Sequence, residues 1–147
     1  MMKLETLKYI SYVYRVSKFV MEKNEKFKKF FSEDGMWSKI KGFAKQIGMK
    51  TVYIVLLMFN AYKRPDTPKW AKNIIIGAIG YFISPIDAIP DLTPFLGYTD
   101  DFGVLGFGLV TIAGYVNVDV RIASRKQMLK IFGKLDLEEL KDIDAKI

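Results

Sequence analysis

Four aspartates, Asp87, Asp91, Asp100 and Asp101, stand in the most apolar third of this chain. Carboxylates in such a setting are the side chains best able to do chemistry, because polar groups inside an apolar segment are costly. If the helices on either side of the turn bring the four together, their mutual repulsion is relieved by a divalent cation. All-oxygen ligands suit magnesium or calcium. Left unpaired in low dielectric, the same groups would be protonated rather than charged. A plainer role accounts for all four without a metal: Thr99 can cap a following helix, with Asp100 and Asp101 facing the positive end of its dipole. Asp87 and Asp91 can then accept backbone N–H groups in proline-interrupted turns. The four are therefore a candidate cation or partner site, held by a structural turn of Ser84, Pro85, Pro90, Pro94 and Gly97.

The rest of the composition narrows the chemistry. The chain has no cysteine and no histidine. That removes disulfides, thiolate nucleophiles, Ser-His-Asp triads, imidazole acid–base catalysis and His-ligated zinc. The Ser-x-x-Lys at Ser38–Lys41 lacks its partner motifs, and no glycine-rich loop is placed to cradle phosphate. No catalytic residue is assigned.

The elements that must position the turn read as helices. Residues 3–31 place Leu4, Leu7, Ile10, Tyr14, Met21 and Phe27 near helical spacing, with Lys3, Lys8, Arg15, Lys18 and Lys23 between them. After a break at Ser32–Gly35, a second helix is expected over 36–62. Its first half is amphipathic, and Thr51–Phe59 is apolar all round, so that part must be buried. Thr67 is a candidate N-cap with Pro68 at the first helical position of a third helix, 69–84, which Pro85 stops. A fourth helix is expected over 99–120, rich in glycine and alanine for close packing. A last helix or tail runs to Ile147. The expected fold is all-α: four to five helices around a central apolar hairpin, residues 73–120, joined by the Pro/Asp-rich turn. At 147 residues the chain is one domain by size. Within it, residues 1–62 are basic amphipathic helices, 63–130 the hairpin core and 131–147 a C-terminal helix or tail.

Charge is sorted along the chain. Residues 1–72 carry 16 Lys/Arg against 6 Asp/Glu, a net of +10, while residues 73–120 carry five aspartates and no Lys or Arg, a net of −5. Overall the charge is +7 and the mean hydropathy +0.10. The hairpin arms, of about 16 and 17 residues, lie near the lower limit for spanning a bilayer. Both outer flanks are basic, which predicts both termini on the cytoplasmic side of the cell membrane. The start of the chain has no long apolar stretch of a secretory signal, so a cytoplasmic start is the expectation.

Three runs together resemble a known family: Arg64-Pro-Asp-Thr-Pro-Lys-Trp-Ala-Lys72, Tyr81-Phe-Ile-Ser-Pro-Ile-Asp-Ala-Ile-Pro-Asp91 and Leu96-Gly-Tyr-Thr-Asp-Asp101. The segment is similar to the YkvA-like family, a bacterial domain of unknown function. In that family an apolar helix ends in Ser-Pro-Ile-Asp-x-Ile-Pro-Asp, and Gly-x-x-Asp-Asp opens the next. The resemblance covers some 50 residues. It implies a small membrane protein, and it carries no activity, cofactor or substrate with it.

The functional expectation is a membrane-associated, non-catalytic interaction or structural module. Membrane lipid is its expected partner, with a protein partner or a second copy also open. One alternative is a magnesium- or calcium-dependent enzyme acting on phosphate or lipid substrates through the aspartates. Another is a soluble helical domain whose hairpin is simply its core. Nucleic-acid binding is permitted by the charge but supported by no motif.

Overall fold

The computed structural model describes residues 27–84 and 103–147, together with Lys3, Leu4, Leu7, Lys8, Ser11, Tyr14, Arg15 and Lys18. Among the described residues the regular structure is all helical, as the sequence pattern predicts. Leu4, Leu7, Lys8, Ser11, Tyr14, Arg15 and Lys18 are helical, in keeping with the expected first helix.

Helix α1, Glu33–Ile47, begins at Ser32, whose hydroxyl accepts the Gly35 N–H at 2.9 Å. Glu33 and Asp34 occupy its first turn, where the helix dipole favours them. The backbone leaves helical geometry at Phe43, so α1 is kinked. The expected single helix over 36–62 is in fact two. Gly48 separates them with φ at 95°, a conformation open to glycine and strained for other residues. Its N–H closes α1 on the Ala44 carbonyl at 2.9 Å.

Helix α2, Met49–Tyr62, follows at once and is the centre of the molecule. Val52 through Phe59 are buried without interruption. Such a run fits no amphipathic pattern because α2 is enclosed on every side: it touches α1 and each of the helices introduced below. Each buried large aliphatic or aromatic side chain stabilises the fold by roughly 1.5–3 kcal/mol relative to exposure. Among the described residues the apolar interior is therefore organised around α2, with Ile75, Ile79, Phe82, Leu109 and Ile112 packed into the same core.

Helix α3, Lys69–Ile83, starts after Pro68. Thr67, the expected cap, does something else: its hydroxyl turns back and donates to the Ala61 carbonyl at 2.6 Å, fixing the loop to the end of α2. Ser84 ends the helix in extended geometry, as a residue before proline should. Helix α4, Gly103–Thr111, packs against α3. A Cβ on Gly108 would lie 3.3 Å from that of Ala78, so the close approach of the two helices uses a small residue, as expected.

The expected helix over 99–120 stops at Thr111. A 3-10 turn, Ala113–Tyr115, follows, and Asn117 caps a new helix by accepting the Val120 N–H at 2.9 Å. This is α5, Val118–Phe132, which ends at Gly133 with φ 78°. Asp136 accepts the N–H groups of Glu138 and Glu139 to open α6, Leu137–Asp144. Helix α6 falls within residues 131–147, where a C-terminal helix or tail is expected, and α5 precedes it.

These lengths correct the expectation of transmembrane helices. The 15 residues of α3 rise only about 22 Å, against about 30 Å of hydrocarbon, and α4 already ends at Thr111. Among the described residues no helix is long and apolar enough to cross a membrane.

Candidate functional site

Asp87, Asp91, Asp100 and Asp101 lie outside the described residues, and so do Pro85, Pro90, Pro94 and Gly97. What the structure gives is the helix end that leads into them. Ser84 is buried, and its hydroxyl donates to the Tyr81 carbonyl at 2.7 Å. Beside it, the Lys39 ammonium donates to the Phe82 carbonyl and sits 5.1 Å from the centre of the Phe82 ring. A cation at the C-terminal carbonyls of α3 satisfies acceptors that the helix leaves open and meets the negative end of its dipole. Burial pushes the Lys39 pKa down from its ordinary value. The sequence-predicted turn is thus entered through a lysine supplied by a different helix, α1.

A second polar constellation joins α2, α5 and α6. Tyr53 is fully buried, and its hydroxyl donates to Asp144 Oδ1 at 2.8 Å. Arg125 donates to Asp144 Oδ2 at 2.6 Å, and its guanidinium carbon lies 5.8 Å from the Tyr53 ring centre. Arg121 adds a longer ion pair to the same carboxylate at 3.6 Å. Burial, then the hydrogen bond to Asp144, pushes the Tyr53 pKa up to about 12. A tyrosine serving as acid or base near neutrality needs the opposite shift. The cluster is a tie between helices. Nearby, the exposed carboxylate of Asp142 pairs with Lys50 at 3.0 Å, and that pairing lowers its pKa.

A third cluster serves the α2–α5 contact. Asn60 Nδ2 lies 3.0 Å from the Leu56 carbonyl, 2.9 Å from Ser124 Oγ and 2.8 Å from Gln127 Oε1. The Ser124 hydroxyl donates in turn to the Val120 carbonyl at 2.8 Å. One amide thereby satisfies a buried serine facing an apolar helix. Arg64 fixes the loop after α2: it donates to the Tyr115 carbonyl at 2.6 Å and to Asp66 at 2.5 Å. Trp70 meets Tyr115 edge to face at 5.8 Å between ring centres. The Arg-Pro-Asp-Thr-Pro-Lys-Trp run is therefore a structural clamp on the 3-10 turn.

Surface depressions lie among the described residues as well. One, about 720 Å³, lies between α1 and α5 and is lined by Trp37, Lys41, Ala44, Lys130 and Ile131 among others. Another, about 320 Å³, is lined by Asn60, Arg64, Asn117 and Asp119 among others. Among the described residues no group of three or more carboxylates is placed to hold a metal ion. No local signal in the sequence points to the Asp144 tie, because its partners are distant in the chain. Asn60 does carry one: it is a lone amide in an otherwise apolar helix.

Comparison with known proteins touches the same region. Residues 71–107 match the model of a family described as a protein of unknown function, DUF1232. The match runs from α3, across the aspartate-bearing segment, into α4, and takes in about a quarter of the chain. No curated protein and no solved structure matches the chain.

Proposed function

We propose that this protein is a non-catalytic helical module that binds peripherally to anionic membrane surfaces, at the cytoplasmic leaflet. The observation that carries the reading is the exposed face of the N-terminal helical segment. Leu4, Leu7 and Tyr14 are 68%, 46% and 65% exposed. Lys3, Lys8, Arg15 and Lys18 are exposed among them. Aliphatic and aromatic side chains interleaved with cations make a surface-seeking helix, whose apolar residues enter the headgroup boundary while the cations meet lipid phosphate. Each Lys or Arg near an anionic leaflet adds about 1 kcal/mol.

The charge distribution supports the same reading, since the first 72 residues carry a net +10. So does the fold: α2 is packed within protein, and no described helix is long and apolar enough to span. Peripheral attachment is the mode that remains for a membrane role of these elements. The resemblance of residues 65–101 to the YkvA-like family, with its small membrane proteins, points in this direction as well.

The test is vesicle flotation. The protein should rise with phosphatidylcholine vesicles containing phosphatidylglycerol, stay behind with phosphatidylcholine alone, and lose binding as salt rises. Replacing Leu4, Leu7 and Tyr14 by serine should weaken binding. Equal behaviour on neutral and anionic vesicles would sink the proposal.

A further inference from the structure

The outward face of α5 carries an apolar stripe that the fold leaves uncovered. Val118, Ile122 and Leu129 fall within about 40° of one another around a helix of 3.6 residues per turn. They are 70%, 47% and 49% exposed, while Val120, Ser124 and Met128 are buried on the inner face. The helix thus turns a serine inward and three large aliphatics outward. Exposed Lys126 and Lys130, with the exposed first-turn Asp119 on the same side, border the stripe on one flank, and half-buried Arg121 and Arg125 on the other.

We propose that this stripe is a second lipid-docking face, in which α5 lies along an anionic bilayer surface. Val118, Ile122 and Leu129 enter the acyl boundary, and Lys126 and Lys130 reach lipid phosphate. The inference rests on the membrane reading above and adds a face on a different, well-packed element.

Charge and composition select this occupant. A second copy docking through the same stripe would bring Lys126, Lys130 and their symmetry mates together, and like charges across a two-fold interface repel. Protein interfaces concentrate aromatic residues at their centres, and this stripe has none. Nucleic acid engages cations and hydrogen-bonding groups and has no use for three exposed aliphatics. A bilayer surface takes both parts, with aliphatics below and long lysine stems reaching up to phosphate.

The experiment is sedimentation of the full chain with phosphatidylcholine vesicles containing phosphatidylglycerol, comparing wild type with Val118→Ser, Ile122→Ser and Leu129→Ser combined. The three sites are exposed, so the triple variant should keep its helical circular dichroism and its melting temperature. Its vesicle affinity should fall at least about tenfold. The pair Lys126→Glu with Lys130→Glu should also weaken binding, and it serves as the test if the triple variant does not fold. A wild type that binds, with variants that bind equally well, overturns the α5 face and leaves the membrane reading standing. A wild type that does not bind overturns both. A wild-type dimer that the triple variant converts to monomer assigns the stripe to a second copy and overturns the inference.

Discussion

Tyr53 and Asp144 meet at 2.8 Å although 91 positions separate them, so the fully enclosed helix is tied to the last one by a buried phenol and a carboxylate that also holds Arg125. Asp144→Ala removes the acceptor and leaves the Tyr53 hydroxyl without its partner. Hydrogen bonds to charged groups are worth about 1.5–3 kcal/mol, so a loss near 2 kcal/mol is expected in urea unfolding.

The same contact sets a pH dependence. The folded-state pKa of Tyr53, about 12, lies above the ordinary tyrosine value of 10.0. The neutral phenol is therefore favoured by folding. Its contribution is fully present below pH 10 and is lost as the pH climbs toward 12. In an ultraviolet titration Tyr53 should ionise late, together with loss of structure. Tyr53→Phe should abolish that late component.

Asn60 and Ser124 should be energetically coupled. Asn60→Ala takes the donor from Ser124 and Gln127 and should cost about 1–2 kcal/mol. In a double-mutant cycle with Ser124→Ala, the combined loss should fall short of the sum by about 0.5–1 kcal/mol. Strict additivity would mean that the amide is not what holds α5 on α2.

Gly80 has no room for a side chain. A Cβ there would lie 2.0 Å from the Phe27 carbonyl oxygen, which is backbone and cannot rotate away. Gly80→Ala should cost about 1–3 kcal/mol through displacement of the chain around Phe27. Gly42→Ala, with nothing within 4 Å, should be neutral or stabilising by up to about 1 kcal/mol. The melting temperature should fall for Gly80→Ala and hold or rise for Gly42→Ala.

The parts of this fold that were legible in the sequence are those governed by local rules. The stop at Ser84 follows from Pro85, and the burial of α2 from a run with no polar face. The breaks were hidden for a physical reason. Hydrophobic periodicity reports whether a segment is buried, and the chain on both sides of Gly48 and of Ala113–Tyr115 is buried in part, so the pattern runs across both breaks. Asn117, an N-cap residue directly before a helix start, was the available signal for the second break. Asp144, Arg125 and Tyr53 carried no signal because only tertiary packing brings them together. The four aspartates stand where the sequence reading leaves them. Titration calorimetry with magnesium or calcium, repeated on Asp87→Asn with Asp101→Asn, separates the two roles. A cation site gives heat that the double variant loses, and capping gives none.

The most direct measurement of the central claim is cell fractionation followed by an alkaline carbonate wash. The account predicts protein in the membrane fraction that is released by the wash, because its attachment is through surface helices and their cations. Retention after the wash would contradict it, since that result requires apolar helices inserted in the bilayer instead of packed around α2.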